Sequence, residues 1–264
     1  MVFAKTQTCK QRSSLRTLVN DSLGRFGMEL RWKHDPTRLF AALSLATIID
    51  GGANDGGFAS YARSVCPGAT IYSFEPVPWL YNALVDKFKA DRTFFAYDLA
   101  LGDANKETAF EINTEQHSSS LLPIRADAGA IFLGLSRLET IHVRLTTLDS
   151  WAVGRDLGSP LLLKLDLEGN ELAALKGAVG LLSQVDYVLT EINFVLLRDG
   201  QPKFRDVDCF LGLCGFEILD IYPGHQDRRT GQAIWADVLF GRTRPITEPR
   251  ELSASLMNNP ERNS

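Results

Sequence analysis

The sequence predicts an α/β fold built on a doubly wound, mostly parallel sheet, and three observations support this. Short apolar runs that indicate buried strands alternate with stretches of helical periodicity. The first run, residues 47–50, ends in a glycine-rich turn, and the next, residues 70–74, ends in Glu75. Ligands of such sheets bind beyond the carboxyl ends of the strands, so a binding site is expected at that edge.

The first half of the chain supplies a leading helix and three strands. Residues 14–32 carry apolar side chains at spacings of three and four, which indicates an amphipathic helix ahead of the main fold. This helix could cap the sheet, form a homodimer or cover the site. Strands are predicted at 47–50, 70–74 and 93–97, with helices at 58–64 and 79–89 between them. The alternation is typical of a Rossmann-like half with right-handed crossovers.

The second half begins with an insertion. Residues 107–145 carry short alternating pieces around a polar run at 116–120, which indicates a hairpin or loop that could reach over the site. Further strands are predicted at 161–166 and 187–191, a helix at 171–182, and a terminal strand pair at 216–221 and 234–240. The chain accordingly divides into an N-terminal helical extension (1–45), a main domain (46–242) and a tail (243–264) whose polar, aperiodic sequence predicts disorder.

The composition limits the classes of protein to consider. The chain has 264 residues, 45% of them hydrophobic, and a formal net charge of -4, which disfavours a general nucleic-acid binder. Its four cysteines lack CxxC spacing, so neither a zinc site nor a disulfide framework is expected. Neither a membrane span nor a secretory signal is indicated. We therefore expect a cytoplasmic protein; the basic, Ser-bearing first residues leave a transit peptide as the alternative.

The turn after the first strand is the first candidate site. It has the sequence Asp50-Gly51-Gly52-Ala53-Asn54-Asp55-Gly56. Glycines let the backbone approach a ligand and direct the N-terminus of the next helix toward it. They do not fit the G-x-G-x-x-G register of a dinucleotide site. Glu75, about twenty residues further on, has the chemistry to accept hydrogen bonds from both ribose hydroxyls, which favours an adenosine ligand.

Seven segments carry a family resemblance. They are IIDGGANDGGFAS (48–60), YSFEPVPWLYNAL (72–84), ALGD (100–103), SSSL (118–121), TTLDSW (146–151), LLKLDLEGNELAALKGA (162–178) and VLTEINF (188–194). They resemble the FkbM family of S-adenosylmethionine-dependent methyltransferases over about residues 46–241, most specifically in FEPxP and KLDLEGNE. Where the family commonly has valine, this chain has Gly51, which only loosens the turn.

The resemblance implies a fold and a reaction. The fold is the Rossmann-like class I methyltransferase fold, a seven-stranded, mostly parallel sheet with helices on both faces and an antiparallel last strand. The cofactor is S-adenosyl-L-methionine, and the usual acceptor is a hydroxyl of a sugar or natural product. From its place after the third strand, Asp98 could lie beside the adenine or be an exposed loop acid, and Asp50 and Asn54 could contact the amino-acid end of the cofactor. The candidate cofactor residues are Asp50, Gly51, Gly52, Asn54, Gly56, Glu75, Pro76 and Asp98.

Methyl transfer to a hydroxyl needs alignment and a base. Asp166 ends the fourth core strand and is predicted to be the base or to orient it, with Glu168 binding substrate hydroxyls. Glu191 and Asn193 end the fifth strand on the same edge, where either could contact the acceptor. Glu171 is expected only to favour a helix N-terminus electrostatically. Lys164 could pair with Asp166 or extend to the surface.

Several alternatives stay open from the sequence. His117 and His225 are further candidate bases, since histidine titrates near neutral pH. Arg228 and Arg229 share the loop of His225 and could bind a carboxylate or phosphate of the acceptor, or form a solvated turn. A metal-independent reaction is expected, although oxygen donors such as Asp166 would suit Mg²⁺. The competing functions are an NAD-dependent oxidoreductase and a non-catalytic cofactor-binding module.

Overall fold

A seven-stranded sheet organises the chain, as seen in a computed structural model that describes residues 36–114, 119–126, 128, 136–227 and 230–243. The strands are β1 (Thr47–Gly51), β2 (Thr70–Phe74), β3 (Phe94–Tyr97), β4 (Ala100–Leu101), β5 (Lys106–Asn113), β6 (Arg137–Thr146), β7 (Leu161–Leu165), β8 (Tyr187–Asn193), β9 (Phe216–Pro223) and β10 (Trp235–Arg242). The order in the large sheet is β3-β2-β1-β7-β8-β10-β9. The first five of these strands are parallel, and β10 is antiparallel to both β8 and β9. This confirms the predicted sheet, including its antiparallel last strand.

Helices cover both faces of this sheet. They are α1 (Pro36–Leu43), α2 (Gly57–Val65), α3 (Pro78–Lys87), α4 (Leu148–Ala152), α5 (Glu171–Lys176) and α6 (Phe204–Leu213), with a 3₁₀ turn at Leu181–Ser183. Successive side chains of a strand point to opposite faces, so Ile48 packs under α1, α2 and α3 while Ile49 packs under α4, α5 and α6. Strands β1 and β7 are buried along their whole length, as expected for the interior of a parallel sheet.

A second, three-stranded sheet is formed around the predicted insertion. Strands β5 and β6 pair antiparallel, and β4 pairs parallel with β6. Its apolar side, which includes Phe110, Ile112 and Val143, packs with Val77 in a separate small core. The small sheet therefore lies beside the turn that follows β2, and residues between β5 and β6 can reach the same edge.

One predicted helix is shorter than its sequence suggests. The stretch 171–182 is helical only over Glu171–Lys176. Gly177 passes so close to another backbone segment that a Cβ there would lie 2.0 Å from the carbonyl oxygen of Gly102. The chain resumes as the 3₁₀ turn, so the apolar periodicity continues although the helix does not.

Some expectations fall on segments that lie outside the described residues. These are the leading helix at 14–32 and the tail from 244 onward. None of the helices in the described part of the chain is long and apolar enough to cross a membrane.

Candidate active site

A cleft opens beyond the carboxyl ends of β1, β2, β7 and β8. It encloses about 860 Å³, including solvent at its mouth. One wall is apolar and contains Phe74, Val77, Leu80, Leu99, Ala100, Leu101, Phe110 and Leu121. The polar lining consists of Asn54, Glu75, Ser119, Asp166, Glu168, Asn170 and Glu191, with Gly52, Pro76 and Leu167 completing it. The cleft lies at the edge that the sequence predicts.

Gly52 is the point of closest backbone approach in the turn after β1. Its φ is +74°, a left-handed backbone conformation that residues other than glycine rarely adopt. A Cβ on Gly52 would also lie 1.9 Å from the carbonyl oxygen of Asp166. The two strand ends are joined here, because the Asp166 amide donates to the Gly51 carbonyl at 3.1 Å. Any side chain at Gly52 would therefore separate β1 from β7 at the floor of the cleft.

Glu75 faces the cleft from the end of β2 and is only 4% exposed. Its Oε2 accepts the Asn54 amide at 2.8 Å, and its Oε1 accepts the Val77 amide at 2.9 Å. Burial raises the pKa of Glu75 to about 7, against the lowering effect of these hydrogen bonds. Each carboxylate oxygen retains a second lone pair for a ligand. The hydrogen bonds from the Asn54 and Val77 amides therefore fix the Glu75 carboxylate in place, and the same bonds stabilise the turn that contains Asn54.

Lys164 places a buried ammonium group beneath the turn. Its Nζ lies 3.0 Å from Asp50 Oδ1 and 3.8 Å from Asp166 Oδ2. It also donates to the carbonyl oxygens of Gly51 and Gly52 at 3.2 and 2.9 Å. Burial alone would lower the pKa of Lys164, but the Asp50 and Asp166 carboxylates raise it above its ordinary value. Lys164 therefore forms a buried ion pair instead of extending to the surface, and Asp50 is nearer to it than Asp166.

Three predicted cofactor residues support the turn from behind the cleft lining. Asp50 is 0% exposed, since Lys164 and the Ser73 hydroxyl, at 3.1 Å, hold its carboxylate under the turn. A Cβ on Gly51 would lie 2.9 Å from the side chains of Leu101 and Leu165, and Gly56 begins α2 with φ +76°. Asp50, Gly51 and Gly56 therefore lie outside the cleft lining, and their predicted contact with the cofactor stays a prediction.

Asp166 and Glu168 follow β7 and both line the cleft. Asp166 is 46% exposed at its side chain. Glu168 has φ +53°, and its carboxylate lies 3.3 Å from Arg198 Nη2. Burial raises the pKa of Glu168 to about 8, although Arg198 opposes this rise. The two carboxyl groups therefore meet different environments: Asp166 is exposed to solvent, and Glu168 is partly buried beside Arg198.

Glu171 has a larger role than the sequence indicates. Its Oε1 accepts the amides of Leu167 and Gly169 at 2.8 and 3.0 Å. Burial raises the pKa of Glu171 to about 7. The carboxylate closes the 167–169 turn from inside, so it holds the backbone from which Asp166 and Glu168 project. The expectation of a purely electrostatic effect at the helix N-terminus is corrected accordingly.

Glu191 lines the cleft at the end of β8, next to Asp166 on the neighbouring strand. Its Oε1 accepts a hydrogen bond from Asn193 Nδ2 at 3.2 Å. Burial, and then the charges of Asp166 and Glu168, raise the pKa of Glu191 well above its ordinary value. Asn193 is buried and lies outside the cleft lining, so it supports Glu191.

Other predicted residues lie apart from the cleft. Asp98 is exposed, pairs with Arg144 Nη2 at 2.5 Å and lies outside the cleft lining, which favours the alternative of an exposed loop acid. The His225 ring stacks on Trp235 at 4.9 Å and is also outside the lining. His117, Arg228 and Arg229 lie outside the described residues. Within the described ranges, no group of three or more His, Cys, Asp or Glu side chains is arranged to hold a metal ion.

The structure adds cleft residues that the sequence does not single out. Phe110, Ser119 and Leu121 come from the inserted segment, and Asn170, which donates to the Leu101 carbonyl at 2.8 Å, comes from the turn after β7. The serine run at 118–120 is the sequence feature that points to the inserted segment. It does not indicate which side chains of that segment face the cleft.

An adenosine-containing ligand fits this cleft. The apolar wall at Phe74, Leu99 and Leu101 offers a surface for a flat base. The Glu75 carboxylate offers acceptors for vicinal hydroxyl groups, and Gly52, which has no side chain, leaves room beside it for the remaining part of the ligand. Asp166 and Glu191 lie on the neighbouring strand ends, so a second molecule can meet the ligand there.

Comparisons with known proteins identify one family and several similar solved structures. The model of the family described as "Methyltransferase FkbM domain" matches residues 50–218. No curated protein sequence matches the chain. A similar solved structure is TrmK of M. capricolum in complex with S-adenosyl-homocysteine, 7% identical, with 84% of this chain and 75% of that chain covered and a TM-score of 0.46. Fibrillarin of Aeropyrum pernix with natively bound S-adenosyl-L-methionine is 17% identical, with 77% and 74% covered and a TM-score of 0.38.

Proposed function

Because the chain belongs to the FkbM methyltransferase family, we propose that it methylates a hydroxyl group of a sugar or a natural-product small molecule. Its methyl donor is S-adenosylmethionine. Family membership sets aside the NAD-dependent oxidoreductase and the non-catalytic module as alternatives. The hydroxyl acceptor is supported by one observation, the two carboxyl groups of Asp166 and Glu191 that line the cleft at adjacent strand ends.

The chain's residues divide into a donor end and an acceptor end. When bound, S-adenosylmethionine supplies a methyl group already activated by the sulfonium charge, so the protein must align the acceptor and remove a proton. Glu75, Asn54 and the turn at Gly52 would hold the donor. Asp166, Glu168 and Glu191 would face the acceptor, where carboxylates can accept hydrogen bonds from several hydroxyl groups.

We take Glu191 as the candidate base. A raised pKa makes a carboxylate more basic, so it takes up a proton more readily. Burial and the nearby Asp166 charge raise the pKa of Glu191. Asp166 therefore acts on the proton transfer through Glu191, by raising its basicity and orienting the acceptor.

Asp166→Asn should lower turnover on the order of tenfold and move the acid limb of the pH–rate profile to lower pH. Removing the Asp166 charge removes one cause of the raised pKa of Glu191, so Glu191 loses its proton at lower pH but is a weaker base. The measurement is kcat against pH with a methyl-accepting substrate at saturating donor.

The exposed Glu107 on β5 provides the control, since Glu107→Gln should leave the profile unchanged. A much larger loss of activity, with the acid limb abolished, would assign the proton to Asp166 itself.

Glu75→Gln should weaken donor binding about tenfold or more, because a charge-assisted acceptor is lost. It should also remove a pH dependence. In the wild type, ligand hydroxyls favour the ionised carboxylate, so affinity should fall as pH drops below about 7, the raised pKa of Glu75. Isothermal titration calorimetry with S-adenosylmethionine from about pH 5.5 to about pH 8.5 measures both effects. Wild-type affinity that is flat across this span would remove Glu75 from the donor site.

The acceptor class is tested by transfer of a labelled methyl group from S-adenosylmethionine to a panel of free sugars, glycans, polyketides and phenols. The expected product is a methyl ether, which resists mild base that would cleave a methyl ester. Labelling confined to a nitrogen atom or to RNA would contradict the proposed acceptor while leaving the methyltransferase assignment intact.

A further inference from the structure

Arg198 is a buried cation in the segment that follows β8. Its side chain is 2% exposed, and its Nη2 lies 3.3 Å from Glu168 Oε2. Its Nη1 donates to the carbonyl oxygen of Leu122 at 3.3 Å. Gln201 holds the local backbone, because its Oε1 accepts the amides of Leu197 and Arg198 at 2.8 and 3.1 Å. Arg198 thus joins the turn after β7 to the inserted segment.

Further hydrogen bonds fix residues 119–126, which we call the insert wall. The Ser120 hydroxyl donates to the Glu168 carbonyl at 2.8 Å and accepts the Leu122 amide at 3.0 Å. On its other side, the Arg125 amide donates to the Leu197 carbonyl at 3.0 Å. Ser119 and Leu121 of this wall line the cleft. The wall is therefore attached both to Glu168 and to the loop that carries Arg198.

The charge of Glu168 depends on this contact. Burial raises the pKa of Glu168 to about 8, and the Asp166 charge adds to the rise, while Arg198 opposes it. Without the guanidinium, the partly buried carboxyl of Glu168 would favour its protonated form more strongly at neutral pH. A protonated carboxyl accepts fewer hydrogen bonds than a carboxylate, so it would bind acceptor hydroxyls less well.

We propose that Arg198 is a positioning residue for the acceptor: it orients the Glu168 carboxylate in the cleft and holds the insert wall against it. The inference rests on the proposed function, since Glu168 is taken to bind the acceptor. Arg198 has no cleft-lining surface, and it acts through Glu168 and through the Leu122 carbonyl. Specificity for the acceptor therefore depends on a residue behind the site.

The test compares Arg198→Met and Arg198→Lys in the full chain. Arg198→Met should raise the acceptor KM about tenfold or more and move the acid limb of kcat/KM to higher pH, with S-adenosylmethionine affinity within about threefold. In Arg198→Lys, the acid limb should lie between those of the wild type and Arg198→Met. Lysine restores the positive charge but cannot bind Glu168 and the Leu122 carbonyl with two separate nitrogen atoms. Arg137→Met, which removes an exposed arginine paired with Glu111 at 3.4 Å, is the control.

Two further measurements separate this inference from the proposed function. In Arg198→Met, the amides of Leu122 and Arg125 should exchange with solvent about tenfold faster or more, whatever the acceptor. The acceptor KM of the double variant with Glu168→Gln should lie within about threefold of Glu168→Gln alone. The role of Arg198 would be overturned if amide exchange of Leu122 and Arg125 were unchanged in Arg198→Met. It would also be overturned if the KM increases of Arg198→Met and Glu168→Gln multiplied in the double variant. Failure to find any acceptor for the wild type would count against the proposed function, and exchange would then decide on Arg198.

Discussion

Gly52→Ala is expected to abolish detectable S-adenosylmethionine binding and to destabilise the domain by about 3 kcal/mol or more. An L side chain at φ +74° costs about 1 to 2 kcal/mol by itself. The larger part comes from the Cβ, which would lie 1.9 Å from the Asp166 carbonyl oxygen. Both groups belong to backbone, so no rotamer change relieves the clash. Urea unfolding and titration calorimetry measure the two losses.

Gly154→Ala is the matched control for this change. Gly154 has nearly the same φ, +72°, but a Cβ there meets nothing within 4 Å. It should cost about 1 to 2 kcal/mol of stability and leave donor affinity unchanged. If both variants lose the same stability and both still bind the donor, then the contact between the β1 and β7 turns does not constrain the site.

Lys164→Met should destabilise the domain by about 3 to 5 kcal/mol, because it leaves a buried charge without its partner. The Asp50 carboxylate is 0% exposed and lies 3.0 Å from the Lys164 ammonium. The same ammonium binds the carbonyl oxygens of Gly51 and Gly52, so the donor turn should loosen as well. Unfolding by urea at pH 7, with donor affinity measured in parallel, checks both expectations.

Adding Asp50→Asn should restore part of the stability lost in Lys164→Met, since it removes the uncompensated charge. The donor affinity should stay low, because the carbonyl oxygens of the turn remain without their cation. Lys89→Met, at an exposed lysine paired weakly with Asp86 at 3.6 Å, should change stability by less than about 1 kcal/mol. A Lys164→Met variant as stable as Lys89→Met would contradict the buried-pair interpretation.

The sheet could be predicted from the sequence because its signals are local. Buried strands such as 47–50 and 161–165 are continuous apolar runs, and the turn after β1 is marked by its glycines. The end of α5 was not predictable in the same way. It depends on the approach of Gly177 to Gly102, a contact between residues distant in the chain that leaves the apolar periodicity intact.

The candidate site was predictable where a side chain directly ends a strand. Glu75 and Asp166 do so, Glu191 lies two residues before the end of β8, and all three line the cleft. Asp98 also follows a strand, but Arg144 on a strand of the small sheet engages its carboxylate, and no pattern near Asp98 indicates that partner. Arg198 was not predictable for a related reason, because a single arginine in a loop carries no signal of burial. The surroundings of Asp98 and Arg198 are thus set by contacts with segments distant in the chain.

The position of β10 has a consequence for how the chain is made. Strands β8 and β9 do not pair with each other, and β10, which follows both in the described part of the chain, fills the space between them. Until residues 235–242 have left the ribosome, both neighbouring strands present unpaired edges, which are prone to association with other chains. The sheet is therefore completed from its interior and only after synthesis of the domain is nearly finished, so a nascent chain would need protection until that moment.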